Sequence, residues 1–293
     1  MIIFTTHHKL FKMKQLISYF LFITLVFNTS CKQNKESKTE TDNIPKAEIQ
    51  TTTNVKGEVT YTADSTNLKG YIAFDENKSG KRPGVIIVHE WWGHNDYVRE
   101  RADMLAKLGY TAIALDMYGD GKQASHPDDA GKFATNVMTN LPEATARFNA
   151  ALNLLKQHES VDAEKIAAIG YCFGGSVALT MANSGLDLDA VAAFHSGVAL
   201  PVMPNKNLKA RVLICNGTDD PFVSPESIVT FKTAMDSIGA NYEYIAYPDV
   251  VHSFTSKEAD ANGEKFGLPL AYNAEADQKS WVRLQQMLNE VFE

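Results

Sequence analysis

The sequence predicts an α/β fold in which a mostly parallel central sheet carries helices on both faces. Short apolar runs alternate with helix-patterned stretches along most of the chain. Some of those runs, Val85 to Val88 (VIIV) among them, are apolar at every position, as strands covered on both faces must be. The 293 residues are 44% apolar and 22% charged, enough to bury one sizeable core.

The elements follow in order from Gly57. Gly57 to Ala63 and Tyr71 to Phe74 read as antiparallel opening strands, and Val85 to Val88 as the first covered one. Asp96 to Leu108 is a helix, with Val98, Ala102, Leu105 and Leu108 on one stripe and Gly109 in the stopping position. Tyr110 to Leu115 is a strand, Pro142 to Gln157 a helix, Ile166 to Gly170 a strand and Gly174 to Ala182 a helix. Strands follow at Val191 to Phe194 and Arg211 to Cys215. Ser224-Pro225-Glu226 opens a helix with a capping serine and a proline in the first turn, and Gly239 ends it. Tyr242 to Tyr247 is the last strand, and Ala274 to Phe292 closes the chain as a helix with Trp281, Leu284, Leu288 and Val291 facing the sheet.

Residues 1–30 read as a signal peptide. A basic patch from Lys9 to Lys14 precedes the apolar run Leu16 to Phe27, which is too short for a permanent span, and Met13 is an alternative start. The run ends in Asn28-Thr29-Ser30-Cys31, which resembles the lipobox at which bacterial lipoproteins are cleaved and acylated, so Cys31 is the expected lipidation site. Lys32 to Asn43 holds no apolar residue, and residues 31–56 are expected to form a polar tether ahead of a domain at 57–293. The expected address is the bacterial cell envelope, on the periplasmic side. Formal charge is −7, and removing three lysines with the first thirty residues leaves 25 basic against 35 acidic residues, or −10. That balance argues against nucleic acid or an anionic surface as partner, leaving membrane contact to the lipid anchor.

Gly170-Tyr171-Cys172-Phe173-Gly174-Gly175 lies between a strand and a helix, the context of a nucleophile elbow. So tight a turn needs small residues two before and two after the nucleophile, and the helix behind it favours a thiolate. Asn216-Gly217-Thr218-Asp219-Asp220-Pro221 follows one strand and His252 follows another, both at the C-terminal edge where open α/β sheets build their sites. Nucleophile, acid and histidine thus come in the chain order of a hydrolase triad. Both Asp219 and Asp220 fit the loop; G-x-x-D spacing from Gly217 selects Asp220.

These residues resemble the dienelactone hydrolase family, through VIIVHEWWG (Val85 to Gly93), ALDMYG (Ala114 to Gly119), GYCFGG (Gly170 to Gly175), GTDDPFV (Gly217 to Val223), VHSF (Val251 to Phe254) and AYNAEAD (Ala271 to Asp277). The resemblance implies an α/β-hydrolase fold, a Cys172–His252–Asp220 triad, and hydrolysis of a small ester or lactone through an acyl-enzyme. It further implies that Glu90 governs the protonation of the resting thiol and that the amides of Trp91 and Phe173 form the oxyanion hole. Trp92, Tyr118 and His195 are the expected pocket residues, although Trp91 and Trp92 equally suit ordinary packing and His195 a satisfied core histidine. A solvated strand-end carboxylate is the plainer reading of Glu90.

In the founding members an arginine four residues after the histidine binds the substrate carboxylate; here that position is Ser256, followed by Lys257. A neutral substrate is therefore expected. No cofactor or metal is expected, because His89 and His94 lack a set of ligand partners. Cys31, Cys172 and Cys215 give neither a disulfide framework nor a C-x-x-C redox pair. A binding lipoprotein that has lost catalysis on the same fold is the competing class.

Overall fold

The computed structural model describes residues 56–293. The expected signal, Cys31 and nearly all of the tether lie outside the described residues.

β1 (Gly57–Ala63) and β2 (Thr66–Ala73) form an antiparallel hairpin whose last pair is Ala63 with Thr66. Then come β3 (Arg82–Val88), α1 (Asp96–Lys107), β4 (Thr111–Leu115), α2 (Pro127–Thr139), α3 (Leu141–Gln157) and β5 (Val161–Tyr171). The chain continues through α4 (Phe173–Asn183), β6 (Ala190–Phe194), β7 (Arg211–Gly217), α5 (Pro225–Ser237), β8 (Tyr242–Tyr247), α6 (Ala259–Phe266) and α7 (Ala274–Phe292). One eight-stranded sheet results, in the order β1-β2-β4-β3-β5-β6-β7-β8. Only the pairings of β2 with β1 and β4 are antiparallel.

The apolar run in β3 explains the two-faced architecture. Val85 and Ile87 sit in the core formed with α1 and α7, whereas Ile86 and Val88 point into the opposite core with α3 and α4. Successive strand side chains face opposite ways, so a strand clad on both sides has to be apolar throughout.

The order also fixes where a site can form. β3 lies between β4 and β5, so the chain leaves β3 toward one edge of the sheet and returns on its other side to build the rest. Loops diverge at such a switch point and leave a crevice beyond the strand ends. Glu90 follows β3 there, and Cys172 follows β5.

Two helices escape the sequence pattern. α2 has only Ala130 and Val137 fully buried, too sparse a stripe to signal itself, and its start is capped by the His126 ring accepting from Asp128 N–H. α6 has eight residues and ends at Gly267 in the left-handed region. β5 starts at Val161 rather than Ile166, because its first residues pair with Arg82 and Pro83 before a register shift at Gly84.

Candidate active site

Cys172 has φ 55° and ψ −120°, a conformation that costs a non-glycine residue roughly 1–3 kcal/mol, and it heads α4. Two glycines make the turn possible. A Cβ on Gly170 would lie 2.1 Å from the Gly174 carbonyl oxygen, and one on Gly174 would lie 2.3 Å from Val88 O and 2.5 Å from His89 O. The elbow is therefore pressed against the end of β3. Cys172 N–H donates to Phe194 O at 2.9 Å, tying the turn to β6, and the positive end of α4 lies beneath the sulfur.

The acid and base reach the same edge from β7 and β8. A Cβ on Gly217 would lie 1.9 Å from Val250 O, so the two loops are in backbone contact. Asp220 is buried, with Oδ2 2.7 Å from His252 Nδ1, and its Oδ1 accepts Phe222 N–H at 2.9 Å. Asp219 is exposed and accepts only the neighbouring Thr218 hydroxyl, at 2.8 Å. Burial alone would lower the pKa of His252, but the Cys172 sulfur and the Asp220 carboxylate outweigh it and hold the pKa well above the ordinary histidine value.

Cys172, His252, Trp91, Phe173, Phe222 and Leu270 border one cavity of about 210 Å³, with Ser176 and Gly197 contributing polar edges. The Phe222 ring stands edge-on to His252, 4.9 Å between centroids, although half of the residue is exposed. Ala134, from the unforeseen α2, closes part of the wall. Among the residues lining this cavity there is no Lys or Arg.

The Glu90 carboxylate is buried with a single hydrogen bond, from Ser253 Oγ to Oε1 at 3.2 Å, so it is not a solvated strand-end carboxylate. Burial pushes its pKa up to about 7, opposed by His252, by the Ser253 bond and by Arg101, and reinforced by Glu258.

The three expected pocket residues lie elsewhere. Trp92 stacks on Phe266 with centroids 5.9 Å apart and faces a neighbouring cavity, while Trp91, edge-on to it at 5.1 Å, lines the first. Tyr118 is buried behind the cavity wall, donating its hydroxyl to Trp91 O at 2.9 Å. His195 is fully buried beneath His252, 5.2 Å between ring centroids, with Nε2 2.7 Å from the Thr255 hydroxyl.

Several supporting groups were not singled out as site residues by the sequence. Asp116, at the end of β4, accepts from the N–H groups of Lys69, Tyr118, Gly119 and Gly121, which fixes the loop bearing Tyr118. Its one legible sign is an aspartate opening a glycine-rich turn. Arg101 of α1 donates to Thr255 O at 2.6 Å and to Asp277 at 2.8 Å, and its guanidinium lies 5.2–5.5 Å from the rings of Tyr97, Tyr171 and Trp281. It thereby clamps the loop that follows His252. Cys215 is buried, and burial pushes its thiol up to about 12, so Cys172 is the accessible thiol of the described residues. Among the described residues no group of three or more His, Cys, Asp or Glu is placed to share a metal ion.

The sequence profile of the dienelactone hydrolase family matches residues 68–292. The chain belongs to the dienelactone hydrolase family. It is accordingly an ester or lactone hydrolase on an α/β-hydrolase fold. Among solved structures, one named m3DLH is 36% identical, covers 80% of this chain and 98% of its own, and superposes with a TM-score of 0.77. A dienelactone hydrolase-like promiscuous phosphotriesterase from metagenomic libraries is 34% identical, with coverage of 80% and 98% and a TM-score of 0.75. "Protein usf" of Aquifex pyrophilus is 28% identical over 207 residues, 69% of this chain and 88% of that protein.

The buried Glu90 gives this dienelactone hydrolase relative a pH-dependent stability. A pKa raised from 4.5 to about 7 means that the folded state retains a proton which the unfolded chain has already released, so stability falls as pH rises through that interval. At about 1.4 kcal/mol per pH unit the loss is on the order of 3 kcal/mol. Glu90→Gln lacks the titration and should therefore gain that much on wild type between pH 4.5 and pH 8 in denaturant unfolding. A wild-type-to-variant difference that stays constant with pH would show that Glu90 does not titrate there.

Proposed function

We propose that the protein hydrolyses small neutral esters or lactones through a thioester on Cys172. The observation that carries this reading is His252 lying between the Asp220 carboxylate and the Cys172 sulfur at the wall of an apolar cavity. The Asp220 contact fixes the ring so that Nδ1 faces the acid and Nε2 is left for the nucleophile and leaving group.

The raised pKa of His252 favours an imidazolium beside the Cys172 sulfur. The thiolate attacks the ester carbonyl carbon; the C–S bond forms and the carbonyl π pair moves onto oxygen, where the amides of Trp91 and Phe173 receive it. Phe173 N–H is the first of α4 and has no acceptor within the helix. Collapse breaks the bond to the leaving oxygen, which takes the proton of His252. Neutral His252 next removes a proton from water as the water oxygen attacks the thioester, and the second collapse frees the carboxylic acid and restores the thiolate. Glu90, buried near His252, takes up or releases the proton that decides whether the resting sulfur is thiol or thiolate.

Substrate charge follows from the same cavity. Lys257 borders a different depression, and the Arg101 guanidinium is engaged by Thr255 O and Asp277. A substrate carboxylate would lose its hydration with no guanidinium to offset the loss.

The N-terminal sequence supports a further reading, that the mature chain starts at Cys31, carries a lipid there, and is held on the periplasmic side of a bacterial envelope. The support is the basic patch, the short apolar run and the small residues before Cys31.

Cys172→Ala should lower kcat/KM on an activated ester by at least about a thousandfold without unfolding the protein, and His252→Ala likewise. Asp220→Asn should lose about a hundredfold or more while Asp219→Asn stays within about threefold; the reverse order would move the acid by one residue. On one lactone scaffold bearing a carboxylate or its methyl amide, the amide should be cleaved with at least about tenfold higher kcat/KM. Preference for the carboxylate would mean that an unidentified cation binds it. Mass spectrometry of the mature N-terminus should find an acylated Cys31, and cleavage elsewhere with a free Cys31 would end the lipoprotein reading.

A further inference from the structure

His89 immediately precedes Glu90, is fully buried, and has no part in the triad chemistry above. Its two ring nitrogens have different partners. Met117 N–H points at Nε2 from 3.2 Å, while Nδ1 lies 2.5 Å from the carbonyl oxygen of Glu90. A backbone N–H can only donate, so Nε2 accepts and the single proton of a neutral imidazole resides on Nδ1, where it is donated to Glu90 O. Burial lowers the pKa of His89, which agrees with the neutral ring.

The Glu90 carbonyl belongs to the peptide whose N–H is that of Trp91. A trans peptide holds its C=O and N–H on opposite edges of one plane, so whatever fixes the oxygen also aims the hydrogen. Gly93 N–H donates to the same oxygen at 3.2 Å, closing the turn, and the Tyr118 hydroxyl holds the next carbonyl, Trp91 O, at 2.9 Å. The peptides on both sides of Trp91 are thereby pinned. The His89 ring also packs against Phe173, which carries the second amide, with centroids 5.8 Å apart, and against Tyr118 at 4.7 Å.

We propose that His89 is a positioning residue which locks the Glu90–Trp91 peptide, so that Trp91 N–H points at the oxygen bearing charge in the transition state. The inference rests on the reading above that Trp91 N–H and Cys172 serve the reaction. Donors aimed in advance avoid reorganising during the reaction, and misplacing such a group by about 1 Å costs roughly a hundredfold. His89 therefore acts on kcat through an amide and touches no substrate.

The test compares His89→Leu, which has no polar group, with His89→Gln, whose Oε1 can accept from Met117 N–H while Nε2 donates to Glu90 O. His89→Leu should lower kcat on p-nitrophenyl acetate about a hundredfold, leave KM within about threefold, and weaken a trifluoromethyl ketone by a similar factor. That probe adds the thiolate to its carbonyl carbon and places the charge on oxygen, with nothing leaving. Iodoacetamide alkylates the thiolate by displacing iodide and makes no oxyanion, so its rate on Cys172 should stay within about threefold. His89→Gln should keep kcat within about tenfold of wild type. If His89→Leu does not fold, Tyr118→Phe provides the same contrast through the neighbouring carbonyl, with an expected loss of about tenfold in kcat and unchanged alkylation. The proposal is overturned if His89→Leu retains wild-type kcat, if Leu and Gln lose kcat equally, if alkylation slows in step with kcat, or if Tyr118→Phe is without effect. A Cys172→Ala enzyme that remains active would instead refute the underlying triad reading.

Discussion

Two backbones touch at the centre of this site, and the rest is arranged around that contact. Gly174, in the first turn of α4, lies against the carbonyls of Val88 and His89 at the end of β3, with no room for a Cβ on either Gly170 or Gly174. Glycine at these positions lets the elbow sink far enough to bring the Cys172 sulfur and the residues after β3 into one crevice. A larger residue would push β3 and β5 apart, and Trp91 and Phe173 would no longer share a wall with Cys172. The left-handed backbone of Cys172 is sustained by the same contact, since the strands on either side overdetermine it.

The charged groups behind this contact are held by partners rather than by water. Asp220 is satisfied by His252 and Phe222 N–H, and Arg101 by Thr255 O, Asp277 and three aromatic rings. Removing one member of a buried pair strands the other, which is worth about 3–5 kcal/mol and makes the loop after His252 depend on α1 and α7 at once. The tail segment AYNAEAD thus has a physical role, because Asn273 caps α7 and Asp277 meets Arg101. Glu90 is the exception, with one hydroxyl donor and no cation in contact, and its proton affinity rises accordingly.

The sequence made the sheet legible because a strand covered on both faces must be apolar at every position, and the core of β3 is. The elbow was legible because only glycine tolerates the close approaches on either side of Cys172. The choice between Asp219 and Asp220 was a matter of spacing, and the structure separates them by burial and by the partner each one faces. The pocket was poorly legible. Tyr118 and His195 are aromatic or titratable residues at the right sheet edge, but sequence position does not say which side of a loop a side chain takes, and both are turned inward. Phe222, Ser176, Leu270 and Ala134 form the wall instead, brought together from four segments far apart in the chain. Arg101 was invisible for the same reason, because its partners Thr255 and Asp277 are distant in the chain.

The cavity and Glu90 are both without a neighbouring guanidinium at the position of Ser256. An arginine at that position would put a guanidinium on the loop that also carries Ser253, the hydrogen-bond donor to the Glu90 carboxylate. Ser256 is instead buried, with its N–H on Ser253 O, and adds no charge. The nearest guanidinium, that of Arg101, lowers the pKa of Glu90 less than either His252 or the Ser253 bond does. Desolvation therefore governs Glu90, and the cavity presents Cys172 and His252 with no Lys or Arg among its lining residues. An anionic substrate entering there would meet an acid already poised near neutrality and would raise its proton affinity further, as any nearby like charge does. A neutral acyl group would leave that balance undisturbed, and a cavity lined without Lys or Arg offers no cation to a carboxylate in it.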